Sequence, residues 1–292
     1  MYQKTLSPVL HTKLRLPKSM RALNWRRYLE IYFGNVDVED VAKRDPQELA
    51  GAALSHLTFA MRRRRSALVR VFNPTLREDG FVSPHTIIDV VNDDMPFLVD
   101  SINLALQERS LTLHFITHPV FAVERTAAGV LRSLKRRVEN GNGAGLRLES
   151  FQHLEIDRIV DPAALRSLEQ QIERSLRDVR VAYADWARMR HAAHIAAEDL
   201  AGHSARFDAN DLSETCALLA WMDRRHFLFL GYREYRLAGR KGRERLDPVV
   251  STGLGIFASG YGTPACARDD INPAKAIVPT RAPKSLFIDS LP

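Results

Sequence analysis

The most regular hydrophobic pattern in the chain lies between residues 84 and 119. Two apolar runs, at 86–91 and 111–116, flank a stretch in which apolar residues recur at steps of three or four. The recurring residues are Leu98, Ile102, Ala105 and Leu106. Because this spacing places them on one face of a helix over 97–109, the pattern predicts a β-loop-α-β unit.

The turn after the first strand of this unit contains Asn92, Asp93 and Asp94, followed by Met95 and Pro96. Either aspartate could accept a hydrogen bond from the first helical N–H groups, and a proline in the first turn removes no helical hydrogen bond. Small ligands often bind α/β proteins at such a turn, because the first N–H groups of the helix are unpaired. The residues alone leave two interpretations open, a capped turn and a ligand-binding loop.

Shorter patterns on either side predict the rest of the fold. Residues 19–66 have helical character, and Asp45-Pro46 is typical of an N-cap followed by a proline at the first helical position. Strands are expected near residues 67, 86, 111 and 151, the last of them half-exposed, with helices after the second and the fourth. The predicted class is therefore α+β, a ferredoxin-like βαββαβ arrangement with helices on one face of a mainly antiparallel sheet.

The expected organisation is an N-terminal helical segment over 1–66, a sheet domain over 67–190, a helical linker over 191–210 and a partial second α/β module over 211–292. Asp161-Pro162 caps a long helix, and Asp211 with Glu214 resembles a capping box. A glycine-rich loop is expected at 141–145. Residues 286–288 look like a strand that is just beginning, so we expect the chain to be a fragment of a longer polypeptide.

Composition narrows the class of protein. The 292 residues are 45% hydrophobic and 8% aromatic, which is typical of a globular protein with a sizeable core. No apolar run approaches the roughly 20 residues of a membrane span, and no secretory signal is recognisable. Two cysteines, Cys216 and Cys266, do not predict a disulfide framework. The cytoplasm is the expected compartment, and no membrane partner is expected.

The formal net charge of +7 raises the question of nucleic-acid binding, with Arg62–Arg65 as the densest basic cluster. This cluster also fits the end of a helix, where cations favour the dipole. No zinc spacing, helix-turn-helix signature or aromatic RNA-binding strand accompanies it. His191 and His194 lie three apart on a helix without a further ligand at a matching spacing. We therefore expect neither a nucleic-acid partner nor a metal site.

Six blocks of sequence together resemble the N-terminal region of large bacterial NAD-specific glutamate dehydrogenases. The most extensive is NDDMPFLVDSINLALQERSLTLHFITHPV at 92–120. The others are DPQELAGAALSHLTFA (45–60), VRVFNPTLREDGF (69–81), ESFQHLEIDR (149–158), HFLFLGYREY (226–235) and STGLGIF (251–257). They follow the order of the family and cover most of residues 20 to 290.

The resemblance implies a regulatory and assembly segment of a very long, homo-oligomeric enzyme. In the family this region carries ACT-like modules, a fold class that binds amino acids, and a PAS-like module. Residues 67–190 then correspond to the first ACT-like domain, and residues 211–292 to the start of an ACT- or PAS-like module. The parent reaction is the oxidative deamination of L-glutamate to 2-oxoglutarate with reduction of NAD. No G-x-G-x-x-G motif opens a helix here, so no catalytic residue and no cofactor site are expected in this segment.

The resemblance also implies where an amino-acid effector would bind. The residues expected to contact it are Asn92, Asp94, Met95, Pro96 and Asp100. One position departs from the pattern: amino-acid-binding ACT modules usually have glycine after the proline of this loop, whereas this chain has Phe97. A large side chain there could fill the pocket, and the alternative is a purely structural subunit-contact module without a small-molecule ligand.

Overall fold

The computed structural model describes residues 2–12, 16–17, 20, 23–64, 66–137, 146–202, 208–226, 229–240, 243–258 and 285–287. The glycine-rich loop predicted at 141–145 lies outside the described residues. The chain divides into two units, Met1–Arg177 and Asp178–Pro292.

Within the described residues, the helices that precede the sheet of the first unit are α1 (Tyr2–Leu10), α2 (Trp25–Tyr32), α3 (Val38–Ala42) and α4 (Pro46–Ala60). The predicted start of α4 is confirmed, because the Asp45 side chain accepts a hydrogen bond from the N–H of Gln47 and Pro46 follows at the first helical position. One face of α4 is buried as well. It includes Leu49, Ala53, His56, Leu57 and Ala60.

A six-stranded antiparallel sheet follows. Its strands are β1 (Leu68–Phe72), β2 (Thr86–Asp93), β3 (Leu113–Thr117), β4 (Val120–Arg125), β5 (Leu131–Arg136) and β6 (Arg147–Ile156). The helices between and after them are α5 (Leu76–Asp79), α6 (Leu98–Gln107) and α7 (Pro162–Gly202). The strand order is β1-β2-β6-β4-β5, and β3 also pairs with β6. The predicted β-loop-α-β unit is therefore present as β2, α6 and β3.

The order of elements along the chain differs from the predicted βαββαβ. The outer neighbour of β2 is β1, which comes before the β-loop-α-β unit and runs antiparallel to β2. The short connection over 73–85 allows this return, since antiparallel neighbours need no crossover helix.

The sheet is buried on both faces, whereas helices were predicted on one face only. Odd positions of β2, such as Val91, pack in one apolar cluster with residues of α2 and α4. Even positions, such as Ile88 and Val90, are also fully buried, although they do not belong to that cluster. Helix α6 has its own buried apolar face and contributes nothing to the cluster either, so we place it over the even positions.

The central strand β6 was predicted to be half-exposed, and this was wrong. From Glu149 to Ile156 every residue of β6 is buried. The reason is that β6 pairs with β2 along one edge and with β3 and β4 along the other, while both of its faces are covered. Charged and polar side chains on this strand are therefore forced into the interior, where they need partners.

The described part of the second unit contains the end of α7, helix α8 (Ala209–Trp221) and a short π-helical turn (Met222–His226). It also contains strands β7 (Gly231–Arg240), β8 (Arg243–Gly255) and β9 (Ser285–Phe287), in the order β8-β7-β9. The N-cap of α8 is Asp208, three residues before the predicted Asp211. Among the described residues, no helix is both long enough and apolar enough to span a membrane.

Candidate functional site

The five residues predicted to contact a ligand lie on a strand end, a loop and a helix. Asn92 belongs to the end of β2 and is fully buried. Asp94 and Met95 follow in the loop and are partly buried, whereas Pro96 and Asp100 are exposed. The structure thus brings Asn92, Asp94 and Met95 to the carboxyl end of β2. Asp100 lies in the first turn of α6, on its exposed side.

The loop between β2 and α6 forms hydrogen bonds with the sheet and does not cap α6. The N–H of Asp94 donates to the carbonyl oxygen of Leu148 at 3.0 Å, which extends the pairing with β6. The carboxylate of Asp93 accepts from Arg63 at 2.9 Å. Neither aspartate caps α6, so the predicted capping role was wrong. Pro96 also lies outside the helix, before the N-cap residue.

The N-cap of α6 is Phe97, which adopts φ +67° and ψ 9° and makes no side-chain capping hydrogen bond. This left-handed conformation costs a non-glycine residue about 1–2 kcal/mol. It is the conformation that a glycine would adopt freely. The ring of Phe97 is 42% exposed, so it lies at the surface of the loop instead of being enclosed in the core. The first N–H groups of α6 are left without a side-chain acceptor from the N-cap residue.

Below this loop, three polar side chains lie in the interior on the even face of the sheet. Asn92 pairs in register with Ser150, and Val90 pairs with Gln152 on the neighbouring rung. Asn92, Ser150 and Gln152 are all fully buried. The amide Nε2 of Gln152 donates to Ser150 Oγ at 3.0 Å, while Gln152 Oε1 is buried and has no hydrogen-bond partner among the described residues. A buried acceptor of this kind matches a donor supplied from outside the chain.

His118 joins this polar row from the connection between β3 and β4. Its Nε2 lies 2.8 Å from Ser150 Oγ. Burial lowers the pKa of His118 below its ordinary value, and the nearby negative charge of Asp94 raises it in part. His118 is therefore neutral at pH 7 and can offer either a donor or an acceptor to a neighbouring group. We call Asn92, Asp94, His118, Ser150 and Gln152 the loop-end cluster.

A buried ion-pair cluster lies on the odd face at the same end of the strands. Glu149 accepts three hydrogen bonds, from Arg63 Nη1 at 2.8 Å and from Arg125 Nε and Nη2 at 2.8 and 2.7 Å. Arg63 Nη1 also donates to Asp93 at 2.9 Å. Arg63, one of the four arginines of the basic run, is thus in the interior, bound to carboxylates, and does not face a surface that could contact phosphate.

Further along the odd face, Asp89 is the centre of a hydrogen-bond network. It accepts from His153 Nδ1 at 2.6 Å and from Arg70 Nη2 and Nε at 2.6 and 3.0 Å. Burial alone would raise the pKa of Asp89. At the low pH where Asp89 would take up a proton, the positive charges of His56, His153 and Arg70, together with the bond from His153, outweigh burial and hold that pKa well below its usual range.

His56 completes the network from α4. The Tyr32 hydroxyl lies 2.9 Å from His56 Nδ1, and His56 Nε2 lies 3.3 Å from the carbonyl oxygen of Val90. Since a carbonyl can only accept, Nε2 carries the proton, and Nδ1 accepts from Tyr32. Burial lowers the pKa of His56 to about 4, so the ring is neutral at pH 7.

His56, Asp89 and His153 have ligand-type atoms within 4.8 Å of one another. Two imidazoles and a carboxylate are a donor set that Zn²⁺ accepts. In the described residues, however, the three groups already bond to one another or to Tyr32, and Arg70 already balances the charge of Asp89. A dication here would add uncompensated charge to a fully buried position. The arrangement is better described as a hydrogen-bond network that joins α4 to the sheet.

Sequence reasoning found two members of the loop-end cluster, Asn92 and Asp94, and missed the other three. His118, Ser150 and Gln152 lie outside the turn that the hydrophobic pattern identified, and they gave no local signal. Their proximity to Asn92 depends on the register between β2 and β6, which pairs residues 58 positions apart. Alternation along β6 would have placed Ser150 and Gln152 on one face, once that strand was known to be central.

A mixed α/β fold with an antiparallel sheet and flanking helices, carrying polar residues at a strand–helix junction, is consistent with an ACT-type domain. Residues 28–172 match the family described as "Glutamate dehydrogenase, ACT1 domain". The chain belongs to the family of NAD-specific glutamate dehydrogenases and corresponds to its N-terminal region.

Curated relatives agree with this assignment. The chain is 38% identical over 232 residues to the NAD-specific glutamate dehydrogenase of Halomonas elongata, and 33% identical over 230 residues to that of Pseudomonas aeruginosa. These matches cover 79% and 78% of the chain but only 14% of each relative. The enzyme of Mycobacterium tuberculosis is 29% identical over 188 residues, which are 63% of the chain and 11% of that protein. The chain therefore spans about a seventh of the length of the first two relatives.

Proposed function

We propose that this chain is a regulatory and assembly segment of an NAD-dependent glutamate dehydrogenase. The parent reaction converts L-glutamate, NAD and water to 2-oxoglutarate, ammonium and NADH, and NAD would be bound elsewhere in the parent enzyme. The ACT1 match and the names of the relatives support this proposal. It includes a homo-oligomeric parent, and a second unit that begins an ACT- or PAS-like module.

We further propose that the loop-end cluster binds an amino-acid effector. The observation that carries this proposal is that hydrogen-bond donors for a carboxylate and acceptors for an ammonium group lie together at the carboxyl end of β2. The N-cap residue of α6, Phe97, makes no side-chain hydrogen bond to the helix, so the first N–H groups of α6 suit a carboxylate. Asp94, whose carboxylate also accepts a 3.5 Å bond from Arg137, and Oε1 of Gln152, which has no partner among the described residues, are acceptors that suit an ammonium group.

Binding at this site would act on distant catalysis only through the assembly. An effector changes activity when its affinity differs between two arrangements of the subunits, and the shift cannot exceed that difference. A loop fixed to β6 by the Asp94–Leu148 hydrogen bond would transmit ligand contact to the sheet. We do not assign a catalytic role to any residue of the cluster.

A second candidate function is a subunit-contact module without a ligand. One observation favours it: Phe97, at the start of α6, and Leu104, within it, are 42% and 58% exposed. Exposed apolar side chains are common in contacts between proteins. In this alternative, the loop would serve packing between subunits.

Calorimetric titration of the purified chain with each of the twenty amino acids separates the two functions. The effector proposal predicts saturable binding of at least one amino acid. Ser150→Ala and Asp94→Asn are then expected to weaken that binding at least tenfold, because each removes a polar group of the cluster. Ser133→Ala is the matched control, since that hydroxyl bonds only to the exposed Glu124 among the described contacts; it should change affinity less than twofold.

A different set of results would support the subunit-contact module instead. No heat of binding with any amino acid, together with a concentration-dependent oligomer that Phe97→Asp dissociates, would reject effector binding and establish the contact module. Sedimentation velocity at several protein concentrations provides that second measurement. Binding that survives Ser150→Ala and Asp94→Asn unchanged would reject this location of the site.

A further inference from the structure

Three side chains of the loop-end cluster form a hydrogen-bond chain that runs from the end of β3 into the interior. His118 Nε2 lies 2.8 Å from Ser150 Oγ, and Gln152 Nε2 donates to the same oxygen at 3.0 Å. Ser150 and Gln152 are fully buried, whereas His118 is partly exposed. A proton from solvent can therefore enter this hydrogen-bond chain through His118.

The hydrogen bonds of these three side chains have a direction, because a serine hydroxyl carries one proton. Ser150 Oγ accepts from Gln152, and His118 is the other described partner of that oxygen. Neutral His118 accepts the Ser150 proton at Nε2 and carries its own proton at Nδ1. In this state the amide of Gln152 points Nε2 at Ser150, and its Oε1 has no partner among the described residues, as in the structure.

Protonation of His118 would reverse this direction. Both ring nitrogens of a charged imidazole are donors, so Nε2 of His118 would donate to Ser150 Oγ. The Ser150 proton then needs another acceptor, and Oε1 is the buried acceptor at the other end of the hydrogen-bond chain. Rotation of the Gln152 amide by half a turn brings Oε1 to Ser150 and puts Nε2 in its former place. The two ends of an amide are nearly the same size, so this rotation requires no repacking.

The groups around His118 set the pH range of this reversal. Burial lowers the pKa of His118 from 6.5, and the negative charge of Asp94 raises it in part, so His118 takes up a proton below pH 6.5. Arg137 is the ion-pair partner of Asp94, at 3.5 Å. Ser150 and Gln152, which face His118 from β6, carry no charge. On the odd face of the same strand ends, the charged side chains pair with one another: Arg63, Asp93, Arg125 and Glu149.

We propose that the hydrogen-bond chain of His118, Ser150 and Gln152 is a proton-controlled switch of the effector site. With His118 neutral, Gln152 presents Oε1, an acceptor for the ammonium group of the effector. With His118 protonated, Gln152 presents Nε2, whose N–H groups oppose those of the ammonium group. Effector binding and protonation of His118 therefore exclude each other, and by linkage binding releases a proton. This regulation rests on the proposed effector site, whereas the reversal of the hydrogen bonds needs no effector.

Calorimetric titration with each of the twenty amino acids at pH 7.5 and at pH 5 tests the regulation. For an amino acid that binds, the Kd should be roughly threefold or more higher at pH 5, within the limit of about tenfold per pH unit for one titrating group. His118→Gln removes the titrating ring, so the Kd of this variant should no longer depend on pH. The matched control is His114→Gln, because His114 bonds to Asp157 outside the cluster; it should keep the full pH dependence. Both variants retain His56, so its effect on stability is common to them.

Nuclear magnetic resonance of the chain without any amino acid tests the reversal itself. The side-chain N–H resonances of Gln152 should shift with the same midpoint as the ring of His118, below pH 6.5. Ser150→Ala removes the hydroxyl that connects the two side chains. In this variant the Gln152 resonances should stay constant while His118 still titrates.

The outcomes distinguish the switch from the effector site on which it rests. Gln152 resonances that do not follow His118 in the unsubstituted chain would overturn the switch and leave effector binding intact. An equal Kd at both pH values, or a pH dependence that survives His118→Gln, would do the same. Absence of binding by every amino acid at both pH values would reject the effector site and this regulation with it, even where the Gln152 resonances follow His118.

Discussion

Replacing Glu149 by glutamine is the sharpest test of the buried charges that hold the first unit together. The carboxylate is 1% exposed and accepts bonds from Arg63 and Arg125, whose side chains are 1% and 7% exposed. Glutamine keeps the size of the side chain but removes the charge, so two buried guanidinium groups lose their shared counter-ion. Breaking a buried ion pair by removing one partner costs about 3–5 kcal/mol.

Urea denaturation measures this loss of unfolding free energy. Trp186 and Trp221 are replaced by phenylalanine, so that the fluorescence of Trp25 reports the first unit alone. In a unit of this size, a loss of about 3–5 kcal/mol lowers the melting temperature by roughly 6–20 °C. The matched control is Glu39→Gln, which removes the exposed pair with Lys43 and should cost about 0.5 kcal/mol or less. If Glu149→Gln were no more destabilising than this control, the bonds to Arg63 and Arg125 could not be a main support of the fold.

Three further predictions concern His56, Phe97 and two glycines. The pKa of His56 is about 4 in the folded protein, whereas its ordinary value is 6.5. Between pH 4 and 6.5 the unfolded chain therefore binds more protons than the folded chain, so the free energy of unfolding falls as the pH drops from 6.5 to 4. The loss of unfolding free energy is about 3 kcal/mol. Urea midpoints measured at pH 4.5, 5.5 and 7 should show this loss, and His56→Gln should make the midpoint depend less on pH. Because Phe97 has φ +67°, Phe97→Gly should be about 1 kcal/mol more stable than Phe97→Ala in thermal melts, the reverse of the order at an ordinary helical position. Gly129→Ala should cost more than Gly80→Ala, since both have positive φ but only the Cβ at 129 would meet Arg63 O at 2.2 Å; equal melting temperatures would contradict the close approach.

Local sequence signals predicted the elements whose ends are set by neighbouring residues. Asp45 and Pro46 determine the start of α4, and Asp161 accepts hydrogen bonds from the N–H groups at the start of α7 as its position before Pro162 predicts. The apolar run at 86–91 likewise predicted the bounds of β2, which the structure places at Thr86–Asp93, to within two residues. Such features depend on contacts within four residues along the chain, so periodicity and capping rules are sufficient for them.

Features that depend on pairing across the sheet could not be predicted in the same way. Asp93 and Asp94 look like helix caps, but one bonds to Arg63 and the N–H of the other continues the ladder to β6. The left-handed conformation at Phe97 contradicts the usual preference of a bulky residue. The Asp89 network unites α4, β2 and β6, and no spacing rule connects residues 56, 89 and 153.

The sequence predicted only part of the loop-end cluster, for the same reason. Asn92 and Asp94 lie in the segment that the hydrophobic pattern identified, whereas Ser150 and Gln152 reach it only through the register of β2 with β6. A central strand with polar residues on both faces is the signal that identifies such positions, since buried polar groups need partners. That signal becomes informative only when the strand is known to be covered on both sides.

Amide hydrogen exchange of the chain, with and without saturating amino acids, is the most direct test of the account's central claim. If an effector binds at the end of β2, one amino acid should slow exchange at residues 94–101, where the start of α6 would receive its carboxylate, and leave β7 and β8 unchanged. Exchange at residues 94–101 that stays the same with every amino acid, or protection confined to the second unit, would contradict the claim that an effector binds at the end of β2.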